Sequence, residues 1–258
     1  MMDWWYTYVV LLIAILFVYY LLTPSCTLTS LPLSFQNGWS TPHIYPSLSN
    51  RIICTQTPSD IAIHYGTSWS RHHTLGLPNM KNPRLFEHDG IMYILASSHL
   101  ITLNLQNHVQ RILPIEQGVL FHDQNQVFLM TDVYPILRIK TVDLDTCSTT
   151  LCIEKDTKDF FKLPDGCTVQ TGTTCVSWKN QLLCGVQVYH KKTVRTLFFT
   201  LQPTVFTPVS HTPLYTFTNN LNEMVSGLEW NQSVLWCTVT IGNTGHLVEM
   251  QADLLEWV

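Results

Sequence analysis

The chain has 258 residues, 46% of them apolar and only 12% charged, with a formal net charge of -4. That is enough apolar material for one large core, with Thr, Ser, Asn, Gln and His carrying most of the polarity. The composition excludes a disordered tail, and the close pair Lys191-Lys192 is too small a basic patch to neutralise a phosphate backbone, so no nucleic-acid partner is expected.

From Trp4 to Leu22 the chain is uncharged, with aromatic residues at both ends of a Val/Leu/Ile run. At about 1.5 Å per residue such a helix nearly spans the roughly 30 Å hydrocarbon core of a bilayer. A cleaved signal peptide is the rival, with Thr23-Pro24-Ser25 as its small-residue site, although Asp3 stands where a basic residue belongs. The expectation is a type II single-pass protein of the secretory pathway, the Golgi, a virion or the cell surface. Residues 1–23 would be the anchor and 24–44 a Pro- and Ser-rich stalk or lead-in strand.

Eight cysteines are present, none in Cys-x-x-Cys spacing, so no metal and no cofactor is expected. An even count behind an apolar leader fits an oxidising compartment, and Cys147 and Cys152 stand close enough to clip a turn. Buried thiols in a β core are the alternative. Asn231-Gln232-Ser233 is a glycosylation sequon.

Beyond the stalk, short apolar runs alternate with longer period-two stretches. Ile91–Leu95 precedes His99–Leu105, Val127–Met130 precedes Ile136–Val142, Gln181–Cys184 precedes Val194–Leu201, and Val234–Val239 precedes His246–Met250. The turns between or before them carry Asp, Asn or Gly, as in Glu87-His88-Asp89-Gly90 and His122-Asp123-Gln124-Asn125. With a first unit near Pro46 to Ser68, this predicts five units at about the spacing of propeller blades. A β-sandwich with similar hairpins is the competing architecture.

In order, the unit openings resemble the five-bladed propellers of the glycoside hydrolase and β-mannosyltransferase-like group, in a short viral or secretory-pathway form with degenerate motifs. Tyr45-Pro46-Ser47-Leu48 resembles the first opening, and Asn82-Pro83-Arg84-Leu85-Phe86 with Asp89-Gly90 and Tyr93 the second. Glu116, Phe121 and Tyr134-Pro135-Ile136-Leu137 resemble the third, Gln170-Thr171-Gly172-Thr173 the fourth, and Gly227-Leu228 with Ile241-Gly242-Asn243 the last. The resemblance implies an all-β, five-bladed propeller over 45–258 with a pocket on its axis. It also implies losses: Lys81-Asn82 replaces the group's Glu-Asp, and Gln170 its Arg.

Within that frame Glu116 and Asp132 are the candidate general-acid and general-base pair. Arg84 would orient substrate, with Asn82, Thr171, His190 and Tyr134 around it, although Gln187 competes with His190 for register and Tyr134 also suits packing between blades. Trp69 and Arg71 belong to a polar, aromatic loop suited to a ligand mouth. The lost acids favour recognition of a glycan or glycoprotein, on a scaffold that is a degenerate enzyme, over catalysis; a glycosyltransferase or glycoside hydrolase, and a structural envelope component, are the alternatives.

Overall fold

The computed structural model describes residues 5, 8–14, 26–30, 40–45, 52–56, 60–65, 71–218, 222–231, 234–242, 244–251, 255 and 257. Trp69 and the sequon residues Gln232 and Ser233 lie outside them. The described strands form five antiparallel sheets. The first strand, β1 (Cys26–Ser30), is set aside by the chain and used last. One sheet then runs β2 (Ser40–Tyr45), β3 (Ile52–Gln56), β4 (Ile61–Tyr65) and β5 (Arg71–Thr74). The next is β6 (Arg84–His88), β7 (Ile91–Ala96), β8 (His99–Leu103) and β9 (Val109–Pro114). It is followed by β10 (Val119–Asp123), β11 (Gln126–Asp132), β12 (Ile136–Val142) and β13 (Thr149–Asp156). A five-stranded sheet holds β14 (Thr168–Thr171), β15 (Val176–Trp178), β16 (Gln181–His190), β17 (Thr193–Gln202) and β18 (Thr207–His211).

The last sheet takes β19 (Glu223–Asn231), β20 (Val234–Ile241) and β21 (Thr244–Met250), and β1 completes it by pairing Cys26 with Met250 through Ser30 with His246. An N-terminal strand added to the C-terminal sheet ties the two ends together. Three of the sheets are local meanders, as the alternating runs predict, and the all-β, propeller-like architecture agrees with expectation. Two strands, Cys26–Ser30 and Ser40–Tyr45, fall within the stretch read as a stalk.

Turn chemistry fixes the hairpins. Asp89 and Gly90 both take positive φ (50° and 74°), as do Lys179 and Asn180 (47° and 61°), the geometry that joins two twisted strands through two residues. Some strand stretches carry no polar side chain, such as Leu182 to Val186 in β16, because both faces of the sheet are covered. The core accordingly divides into clusters between successive sheets. Phe121, Met130 and Leu137 meet Val186, Leu197 and Phe199 in one cluster, and Phe198 and Leu183 meet Val225, Leu235 and Val239 in another. Ile61 and Ile63 pack with Leu85 and Ile94, and Phe86 and Leu95 with Leu120 and Leu129. No sheet has a core of its own, so each depends on its neighbours for burial.

Two expectations are corrected. The single-pass type II localisation is overturned because, among the described residues, no helix is long and apolar enough to cross a membrane. Helical backbone is described at Trp5 and residues 8–14, and the rest of the stretch read as an anchor lies outside the described residues. The bridge envisaged between Cys147 and Cys152 is absent: both are free thiols, Cys147 in the turn and Cys152 out on strand β13, and the disulfide joins Cys175 to Cys184 instead. That bond lies within a single sheet, linking the approach to β15 with β16.

One carboxylate holds the last sheet to the loop before it. Glu223, with no accessible surface, accepts hydrogen bonds from Phe217 N at 2.6 Å, Thr218 N at 2.7 Å and Thr216 Oγ1 at 3.0 Å, and a further one from Thr218 Oγ1. Removing the acceptor leaves several donors stranded in a dry site. Glu223→Ala is expected to lower unfolding stability by roughly 3 kcal/mol or more in a denaturant titration; a loss below about 1 kcal/mol would show that the clamp is dispensable.

Candidate functional site

A cleft of about 760 Å³ opens where the first strands of several sheets begin. Asn82, Pro83 and Arg84 reach it from the start of β6, and Glu116 and Gln117 from the residues leading into β10. Gln170, Thr171 and Gly172 come from β14 and its end, and Met224 and Ser226 from β19. Thr131 and Asp132 at the end of β11, Arg138 and Lys140 of β12, and Gln187 and Tyr189 of β16 complete the wall. The lining is therefore mostly amides, hydroxyls and charges, from strands far apart in sequence.

Glycine permits the close approach at this end. A Cβ on Gly118 would lie 2.5 Å from Met130 O, and one on Gly172 would lie 2.8 Å from Gly185 O. Both positions therefore exclude any side chain without backbone movement.

Arg84 reaches across to the neighbouring sheets. Its Nη1 donates to Gly118 O at 2.5 Å and to Thr171 Oγ1 at 3.2 Å, and its Nη2 donates to Thr171 O. One guanidinium from β6 thus spans the approach to β10 and the end of β14. Burial pulls its pKa down from 12.5 to about 10, against a smaller opposing contribution from Tyr189, and at neutral pH it keeps its charge. Beside it, Tyr189 Oη donates to Gln187 Oε1 at 2.7 Å, and Gln187 Nε2 donates to Val225 O at 2.8 Å. Burial raises the Tyr189 phenol, and the Arg84 charge offsets part of that rise.

The two candidate carboxylates are engaged by cations of β12. Lys140 Nζ donates to Glu116 Oε1 at 2.6 Å and to Oε2 at 2.5 Å. Arg138 Nη1 lies 3.3 Å from Asp132 Oδ2, while its Nε donates at 2.9 Å to Glu154 Oε2 of β13. Alternation along β12 places Arg138 and Lys140 on the same face, two residues apart.

The structure brings Asn82, Arg84, Glu116, Asp132 and Thr171 together in the cleft. Tyr134 is placed elsewhere, half-buried against the apolar cluster around Phe121 and Leu137. His190 ends β16 without lining the cleft, and Gln187, which competed for its register, occupies the wall instead. Arg71 begins β5 with its backbone opposite Tyr65, but its side chain lies outside the described residues, as does Trp69. Sequence reasoning missed Arg138, Lys140, Tyr189 and Ser226. The period-two polar positions of Ile136–Val142 were the available signal for the first two.

No protein-family model matches the sequence, and no curated protein matches it. Solved structures do match in shape. A glycoside hydrolase-type protein from Parabacteroides distasonis aligns with a TM-score of 0.63 at 8% identity, covering 88% of this chain and 92% of that one. β-1,2-Mannobiose phosphorylase from Listeria innocua, in complex with β-1,2-mannobiose, aligns at 0.57 and 8% identity, with 88% and 94% covered. A thermostable family-43 glycoside hydrolase aligns at 0.52 and 7% identity, with 85% and 92% covered. The likeness is one of fold. It places this chain among glycoside hydrolase-like propellers in architecture and leaves the chemistry to the cleft.

An ion pair between groups as open as Glu116, half exposed, contributes little to stability. Glu116→Gln is therefore expected to change unfolding stability by less than about 1 kcal/mol in chemical denaturation. A loss of several-fold that size would make Glu116 a structural residue.

Proposed function

We propose that the protein is a glycan-recognition module on a five-bladed, glycosidase-like propeller, with the cleft around Arg84 as its binding site. The five sheets serve as the blades, and the ring brings their first strands to one polar mouth. Asn82, Gln117, Gln170, Thr171 and Gln187 supply the amides and hydroxyl that a sugar's hydroxyl groups require. The observation that carries the reading is the pairing of both cleft carboxylates, Glu116 with Lys140 and Asp132 with Arg138. A general acid or base must reach the scissile oxygen or a water. These two carboxylates are held on cations of the wall instead, and Asn82 stands where the related propellers carry an acid.

The enzymatic reading draws on one fact: Glu116 and Asp132 do line the same cleft. Similarity in shape to a mannobiose phosphorylase makes β-1,2-mannobiose a suitable first probe within a broader glycan array. Recognition predicts saturable binding to a subset of glycans, weakened about tenfold or more by Gln187→Ala, which removes a cleft amide, with no release of aglycone from aryl glycosides. Turnover that disappears in Glu116→Gln would overturn recognition in favour of catalysis, and silence across the array would remove the glycan altogether.

A further inference from the structure

We propose that the saccharide bound in this cleft bears a carboxylate, and that this carboxylate seats on Arg84. The inference rests on the glycan-recognition reading and adds the ligand's charge. Among the described residues, no carboxylate lies within ion-pairing distance of Arg84, and its three hydrogen bonds all go to neutral acceptors, Gly118 O, Thr171 Oγ1 and Thr171 O. The other cations of the cleft are matched. Lys140 holds Glu116, and Arg138 is shared between Asp132 and Glu154. Positive charge without an anionic partner is thus localised at one residue of the lining.

The energetics favour an anionic ligand there. Folding has withdrawn part of the guanidinium from water and fixed its plane through hydrogen bonds to two other sheets, and the lowered pKa runs in the same direction. A ligand carboxylate therefore meets a preorganised cation, and the fork of N–H donors suits a planar, two-oxygen acceptor. Three hydrogen bonds leave part of the five-donor fork uncommitted. Glu116 and Asp132 would repel an acidic ligand if bare, but Lys140 at 2.5 Å and Arg138 at 3.3 Å screen them. A neutral sugar would meet the same amides and hydroxyls but leave the charge of Arg84 unused.

The test compares ligands on the unaltered chain, since Arg84 also links sheets and Arg84→Met can fail to fold. Calorimetry with a glucuronate-terminated disaccharide, its methyl ester and the neutral glucose-terminated counterpart isolates the charge while keeping the shape. A sialyl-terminated disaccharide separates the two common sources of a sugar carboxylate. The acid of one source or the other is expected to bind about tenfold or more tighter than its ester, and the preference to shrink with added salt. In a folded Arg84→Met variant the preference for acid over ester vanishes while ester binding persists. Equal binding of acid, ester and neutral sugar overturns the charge assignment and leaves glycan recognition standing. Binding of inorganic phosphate in preference to every sugar acid overturns the assignment too, and binding of none of these probes by a chain that does bind neutral glycans on the array overturns the assignment while glycan recognition stands.

Discussion

A guanidinium in a water-poor place must find acceptors, and Arg84 finds them on strands that belong to two other sheets. Gly118 O lies immediately before β10 and Thr171 O on the last residue of β14. The same contacts tie β6 at hydrogen-bond spacing to segments of two other sheets. Gly118 and Gly172 are compatible with that spacing because nothing larger fits at either position. The cleft is the space left in front of this junction, and its shape follows from it.

Charge is distributed in the cleft by strand order. The approach to β10 carries Glu116 and the end of β11 carries Asp132, while β12, next in the same sheet, sets Lys140 and Arg138 opposite them. These pairs lie within a single sheet and are set by strand pairing and alternation. Arg84 comes from a different sheet and has no such counterpart, so the cleft keeps a localised positive charge beside paired acids. The chain shares its fold with glycoside hydrolases at 6–8% identity, and that likeness does not fix what the cleft does.

Local pattern made the strands legible. Runs such as Val127–Met130 and Gln181–Cys184, bounded by turns with Asp, Asn or Gly, are strands because sheets buried on both faces need largely apolar sequence. Long-range partners were not legible, since nothing within Cys26–Ser30 specifies that it pairs with Thr244–Met250. Cysteine spacing failed for a similar reason: Cys147 and Cys152 are near in sequence but sit in a turn and on the following strand, whereas Cys175 and Cys184 face each other across a hairpin. In the cleft, Arg84, Asn82, Glu116, Asp132 and Thr171 were reached through motif resemblance. Tyr134, in the bend before β12, takes the packing role that was one of its two readings, and His190 stays off the wall because alternation along β16 gives that face to Gln187 and Tyr189. Glu223 carried no motif, and its role as a clamp follows from the backbone amides of Phe217 and Thr218 meeting it in space.

The account stands on Arg84 being a partly buried, fixed cation joining sheets at the cleft, and nitrogen-15 NMR of the arginine side chains reads that directly. Arg84 should give guanidinium resonances with slow hydrogen exchange and restricted rotation, distinct from those of an exposed residue such as Arg111. An Arg84 guanidinium that exchanges and rotates as freely as an exposed one would contradict the junction and the binding site built on it.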